Sequence, residues 1–287
     1  MLRREGAERM RSAIAGNERL DRSDLAHPGD LGLMGPASVA WRVHGESSML
    51  VGGLRALLLQ TLHPLAMAGV ADHSDYRHDP WGRLHRTGRF IGATTFGTTA
   101  TAERSIAVVR SIHEHVRGTA PDGRPYTATD PHLLLWVHVT EVDSFLQAYE
   151  RYGSGRLTDK EADRYVAEMA EIARRLGADD PPTDRAGLTA SLDAFRQECH
   201  LGRQASEAVT FLLVPPVPLA LRAPYRLLAA AAVGSLPPWA RRMLHLPLPP
   251  GLDPVAIRPA TTMLMRTLGW LMTDFAEQER NDRLLSV

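Results

Sequence analysis

Apolar positions along this chain recur mostly at intervals of three and four, and alternating runs bounded by hairpin turns are missing, so the pattern predicts helices throughout. The longest apolar stretch runs from Met49 to Val70 and is interrupted by Arg55, Gln60, His63 and Pro64. Those polar breaks point to a buried helix, not a membrane span, with Gly52 and Gly53 permitting close helix approach and Pro64 forcing a kink near Gln60 to His63. Asp130 and Pro131 open a strong helix that Gly153 closes near Tyr152, and Thr158 with Glu161 forms a capping box for a helix over 158–176. Further helices are expected over 101–117, over about 185–213, over 219–246 with a break at Pro237-Pro238, and from about 260 to 280. Segment 1–20 reads as a polar helix, 26–37 as a loop, and 71–99 as a loop or short-helix region rich in functional side chains. The fold class is therefore all-α, a single mostly helical domain over 35–287 preceded by an N-terminal extension, 1–34.

Composition narrows the chemistry. The 287 residues carry 33 basic and 33 acidic side chains, and zero net charge argues against a nucleic-acid partner. Cys199 is the only cysteine, which excludes an internal disulfide and any multi-cysteine metal site. Lys160 is the only lysine and lies in a polar stretch, which disfavours lysine-based covalent catalysis. The first twenty residues lack the apolar core of a secretory signal, so the expected location is the cytoplasm, without stable membrane insertion. No Gly-x-Ser-x-Gly elbow, Gly-x-Gly-x-x-Gly turn, Walker loop or His-Glu-x-x-His appears.

Ten of the twelve histidines fall at or before His138. Leu134, Val142, Phe145 and Tyr149 share a helix face with His138, which puts an imidazole in an apolar stripe, while His132 points away from it. Such a group is either a core histidine satisfied by a buried carbonyl or an axial ligand to a haem. Arg83, Arg86, Thr87 and Arg89 form either a solvated basic segment or a clamp for propionates or an anionic substrate. Asp72, His73, Asp75, His78 and Asp79 superficially suggest a carboxylate and histidine metal site, with capping and loop hydrogen bonds as the plainer reading. His44 and His63 are ambiguous in the same way, and the Met49 to Val70 and Pro215 to Val233 stretches read as pocket wall or as plain core.

Three stretches together resemble the family of latex clearing proteins, or rubber oxygenases, and the fungal mycophenolic-acid-pathway oxygenase. They are Trp41 to Glu46 leading into Arg55 to Pro64, then Asp72-His73-Ser74 with Arg83 to Thr87, then Leu134 to Thr140 with its Trp-Val-His core. The likeness spans roughly residues 35–275. It implies a mostly helical, globin-like core around one haem b, with His138 as the ligand to iron. It also implies a distal group of Arg83, Arg86 and Thr87, catalytic and in contact with the cofactor. The family's lysine is replaced here by Arg86, which cannot deprotonate to approach the iron, so an open or water-bound distal site is expected. The resemblance further implies oxidation, including cleavage of a carbon–carbon double bond, of a small apolar isoprenoid or lipid-like substrate by dioxygen. The alternatives are a non-catalytic haem carrier or sensor and a metal-free helical lipid-binding protein.

Overall fold

The computed structural model describes residues 24–74 and 80–270, with Pro80, Trp81, Arg83 and Leu84 described by their backbone only. The polar helix expected over 1–20 lies outside these residues, as do Asp75, His78 and Asp79. In chain order the helices are α1 (Val39–His44), α2 (Met49–Gln60), α3 (Pro64–His73), α4 (Pro80–Phe96) and α5 (Thr99–His115). Then come strands β1 (Arg117–Thr119) and β2 (Pro125–Thr127), and helices α6 (Pro131–Tyr152), α7 (Asp159–Leu176), α8 (Arg185–Phe195), α9 (Arg203–Leu213), α10 (Leu219–Ser235) and α11 (Pro238–Met243). A π-helical turn over Asp253–Ile257 leads into a last helix, α12, over 258–270. The fold is all-α with one small antiparallel hairpin, Arg117 facing Thr127, closed by the Pro121-Asp122-Gly123 turn with Gly123 at positive φ.

Helix α6 is the axis. Asp130 caps its N-terminus through His132 N, Pro131 fills its first turn, and Gly153 ends it. Its buried positions encircle it along the second half, from Val142 to Tyr152, because α2, α7 and α8 pack around it. The closest of these contacts is with α2. A Cβ on Gly52 would lie 2.7 Å from Phe145 Cδ1 and 3.1 Å from the Ser144 carbonyl, so only glycine lets the two backbones approach this closely. Gly53 faces open space. Beneath this crossing Arg55, 2% exposed, pairs with Asp143 at 2.6 Å, donates to Ser144 Oγ at 2.6 Å, and reaches the Ser235 carbonyl at 3.0 Å. One guanidinium thus ties α2 to α6 and α10. Leu54, Leu58, Leu59, Trp136, Val142 and Phe145 fill the core around it, and this settles most of Met49 to Gln60 as plain core.

The expected kink is a full break. α2 stops at Gln60, α3 starts at Pro64, and the two lie at 106°. No single helix among the described residues is long and apolar enough to cross a membrane.

Two elements differ from the sequence reading. The 71–99 region holds a seventeen-residue helix, α4, which packs against α5 and α1 despite its glycines and threonines. Tertiary packing overrides weak local propensity there. The helix expected over 185–213 is two helices, broken at 196–202, where His200 N donates to the Leu62 carbonyl and Gly202 starts α9.

Segment 24–34 straps the corner between α4 and α5. Ala26 N donates to Phe96 O, and Thr98 N donates to Asp24 O. The Asp30 carboxylate accepts from both the backbone N–H and the hydroxyl of Thr99, capping α5 from a distant part of the chain.

Candidate haem-binding site

His138 lies on α6 where the predicted stripe puts it, half-buried as a residue but with Nε2 fully enclosed and without a hydrogen-bond partner. Burial, with Arg174 of α7 nearby, depresses its pKa to about 4. The imidazole is therefore neutral at ordinary pH, the state in which a ring nitrogen can donate a lone pair to iron. No protein acceptor or donor lies within hydrogen-bond reach of this nitrogen. His132, its control on the opposite face, is exposed and donates to Glu198 at 2.9 Å.

One turn further along the same face is Glu141, which the sequence reading missed. Burial pushes its carboxyl up to about 7, and its charge is felt by Tyr165 of α7. Tyr165 is fully buried and hydrogen-bonds His44 Nε2 at 3.0 Å, while His44 Nδ1 meets Thr95 Oγ1 at 2.8 Å. His44 is held at a pKa of about 3 by desolvation. Its ring is saturated on both nitrogens, which makes it a tie between α1, α4 and α7 and leaves no lone pair for a metal.

His63 is likewise satisfied. Its Nδ1 caps α3 at Ala66 N and its Nε2 contacts Glu198, which His132 shares. Asp72 accepts from Tyr126 at 2.6 Å and His73 contacts the Arg117 carbonyl at 3.1 Å, so both fasten α3 to the hairpin. Among the described residues no three His, Cys, Asp or Glu side chains are gathered for a metal ion.

The arginine motif sits on α4. Arg86 and Thr87 are exposed, and both make contacts within the protein. The partner helix α5 carries a second unpaired imidazole, His113, whose Nδ1 is buried without a hydrogen bond and whose pKa burial lowers. Because α4 and α5 pack together on either side of the Gly97–Thr98 corner, counting equally from that corner sets His113 level with Gly82 and Arg83. The available signal was helical spacing, since Ile106 and Ala102, two and three turns before His113, are buried on its face. α6 has no comparable packing on α4.

A neutral, enclosed imidazole nitrogen without a partner is chemically able to ligate a metal, and residues 41–270 match the family model described as the ER-bound oxygenase mpaB/B'/rubber oxygenase catalytic domain. The chain belongs to this family. Comparison with curated proteins and with solved structures yields no match. Membership in the mpaB and rubber oxygenase family makes the chain an oxygenase-type domain, and the described helices from α1 to α12 lie almost wholly within the matched span.

Proposed function

We propose that this protein is a haem b-dependent oxygenase acting with dioxygen on a small apolar substrate of isoprenoid or lipid type, and that oxidative cleavage of a carbon–carbon double bond is within its chemistry. The observation that carries this reading is the enclosed, unpaired Nε2 of His138 in a chain of an oxygenase family. Bound haem would supply activation of dioxygen, which no side chain can do. The protein supplies the rest. His138 would hold the iron through Nε2, from a helix that α2, α7 and α8 pack against. Arg83, Arg86 and Thr87 of α4 would offer positive charge and a hydroxyl to the propionates or to an anionic group bound beside them. With arginine at position 86, a permanently charged guanidinium stands where a lysine could shed its proton, so this position contributes charge and hydrogen bonds only. Glu141, one turn from His138 on the same helix face, would be a buried carboxyl close to that ligand.

A second assignment rests on a specific observation: His113 is level with the arginine motif on the adjoining helix and is equally unpaired. The two assignments separate experimentally. Reconstitution with haem, a pyridine haemochrome assay and the Soret spectrum are compared for the wild type, His138→Ala and His113→Ala. About one haem per chain in the wild type, lost or spectrally altered in His138→Ala alone, is the expected result. The same loss confined to His113→Ala would transfer the ligand role to His113, and no stoichiometric haem in the wild type would overturn the oxygenase reading. Arg83→Ala and Thr87→Ala should keep haem and lower substrate-dependent oxygen uptake. An undiminished rate would remove them from the catalytic group.

A further inference from the structure

The charge of this neutral chain is unevenly placed. Between Val214 and Trp270 stand six arginines and a single acidic residue, Asp253, a net charge of +5 that the rest of the chain balances with −5. Asp253 is already engaged by Arg151. None of the six, Arg222, Arg226, Arg241, Arg242, Arg258 and Arg266, is paired with a carboxylate among the described residues.

The last helix shows what accompanies this charge. Ile257, Thr261, Met265 and Leu268 form its buried stripe. The opposite stripe, read at the same spacing, is Val255, Pro259, Met263, Arg266 and Trp270. Val255 is 79% exposed, Met263 74% and Trp270 58%, an inversion of the usual rule that a helix turns apolar side chains inward. Arg258, Met263 and Arg266 line a groove of about 500 Å³ on this face. Leu219 at the start of α10 adds a further exposed apolar group beside Arg222. An outward face that combines aliphatic side chains, a tryptophan and unpaired arginines matches one physical environment, the boundary between acyl chains and anionic headgroups. A second copy of the chain fits it poorly, because a two-fold contact would set unpaired arginines against their own counterparts. A nucleic acid would use the charge but leave the apolar stripe in water.

We propose that the outward face of α12 and the π-helical turn before it, Val255 to Trp270 with the flanking arginines, docks the protein peripherally on an anionic lipid bilayer, the helix lying in the plane of the interface. Docking of this kind puts the protein beside a membrane-dissolved pool of apolar molecules, yet it stands on charge and exposure alone and does not depend on haem.

The test is co-sedimentation of the full-length protein with vesicles of phosphatidylcholine alone and of phosphatidylcholine mixed with phosphatidylserine. Binding to the mixed vesicles, weakened by added salt and nearly absent on the neutral ones, is expected. Arg258→Glu with Arg266→Glu should lower partition on the order of thirtyfold or more, from the loss of two headgroup contacts. Val255→Asp with Met263→Asp should do likewise through the apolar term. All four positions are exposed or at the margin of the groove, so circular dichroism should be unchanged. Absence of binding to mixed vesicles, equal binding to both kinds, or indifference to the charge reversal would overturn the proposal. A dimer in light scattering that Met263→Asp dissociates would overturn it in favour of self-association, and retention on RNA without retention on vesicles would overturn it in favour of a nucleic acid.

Discussion

Replacing Arg55 with methionine removes the one charged group that holds three core helices together. The substitution keeps an unbranched apolar stem of similar reach, so lost packing is small and the electrostatic loss dominates. What remains is the Asp143 carboxylate, 11% exposed, with its 2.6 Å partner gone, beside a Ser144 hydroxyl and a Ser235 carbonyl that have each lost a donor. Breaking a buried pair from one side costs about 3–5 kcal/mol, because the surviving charge has no compensation. For a chain of this size about 1 kcal/mol corresponds to roughly 2–4 °C, so Tm should fall by about 6–20 °C. Arg55→Met with Asp143→Leu removes the stranded charge and should recover most of that loss, since an apolar pair often matches a buried ion pair in stability. Urea titration followed by far-ultraviolet circular dichroism, with a thermal scan of each variant, measures both arms of the cycle. A single variant within about 1 kcal/mol of wild type, or a double variant no better than the single one, would refute the argument that the cost lies in an uncompensated charge.

The neighbouring glycines should behave oppositely: Gly52→Ala forces a methyl into Phe145 and the Ser144 carbonyl and should cost about 1–3 kcal/mol, whereas Gly53→Ala meets nothing and should gain roughly 0.5–1 kcal/mol from helix propensity; urea midpoints decide, and equal effects would dismiss the close crossing. Acidification gives a third test. His138 and His44 have folded-state pKa values near 4 and 3, below the ordinary 6.5, so the unfolded chain binds protons first and stability drains away as pH falls through 6.5 toward those values. Glu141 acts in the reverse sense, its carboxyl near 7 against an ordinary 4.5 adding stability as pH falls across that window. Urea midpoints between pH 7.5 and about 4.5 should therefore fall less steeply in His138→Ala and more steeply in Glu141→Gln than in wild type; unchanged slopes would mean these groups are not desolvated as the structure has them.

Much of the frame was legible because its signals are local. Asp130, Pro131 and Gly153 bound α6, the Thr158 and Glu161 capping box starts α7, and Pro64 ends the apolar run that begins at Met49. The burial of His138 followed from spacing alone. Features that depend on distant partners stayed hidden. α4 looked like a loop because Gly88, Gly92 and its threonines carry little helix propensity, and the α5 and α1 surfaces that stabilise it are not encoded nearby. The break at 196–202 depends on the Leu62 carbonyl, more than a hundred residues away. Arg55 appeared only as an interruption, since its carboxylate partner lies on another helix. Whether an imidazole nitrogen is satisfied or bare is a property of its whole surroundings, and for that reason the sequence singled out His138 but passed over His113 and Glu141.

The strap that caps α5 also sets an order of events during synthesis. Asp30 emerges from the ribosome 69 residues ahead of Thr99. At roughly 5–20 residues per second it waits about 3–14 s for the group it will hold. Throughout that interval Leu25 and Ala26 have no Phe96 or Gly97 to pair with, and the helical hairpin that bears both the arginine motif and His113 does not yet exist. Closure of the strap therefore reports that the corner has been made, so the earliest residues of the described chain are among the last in this region to find their place.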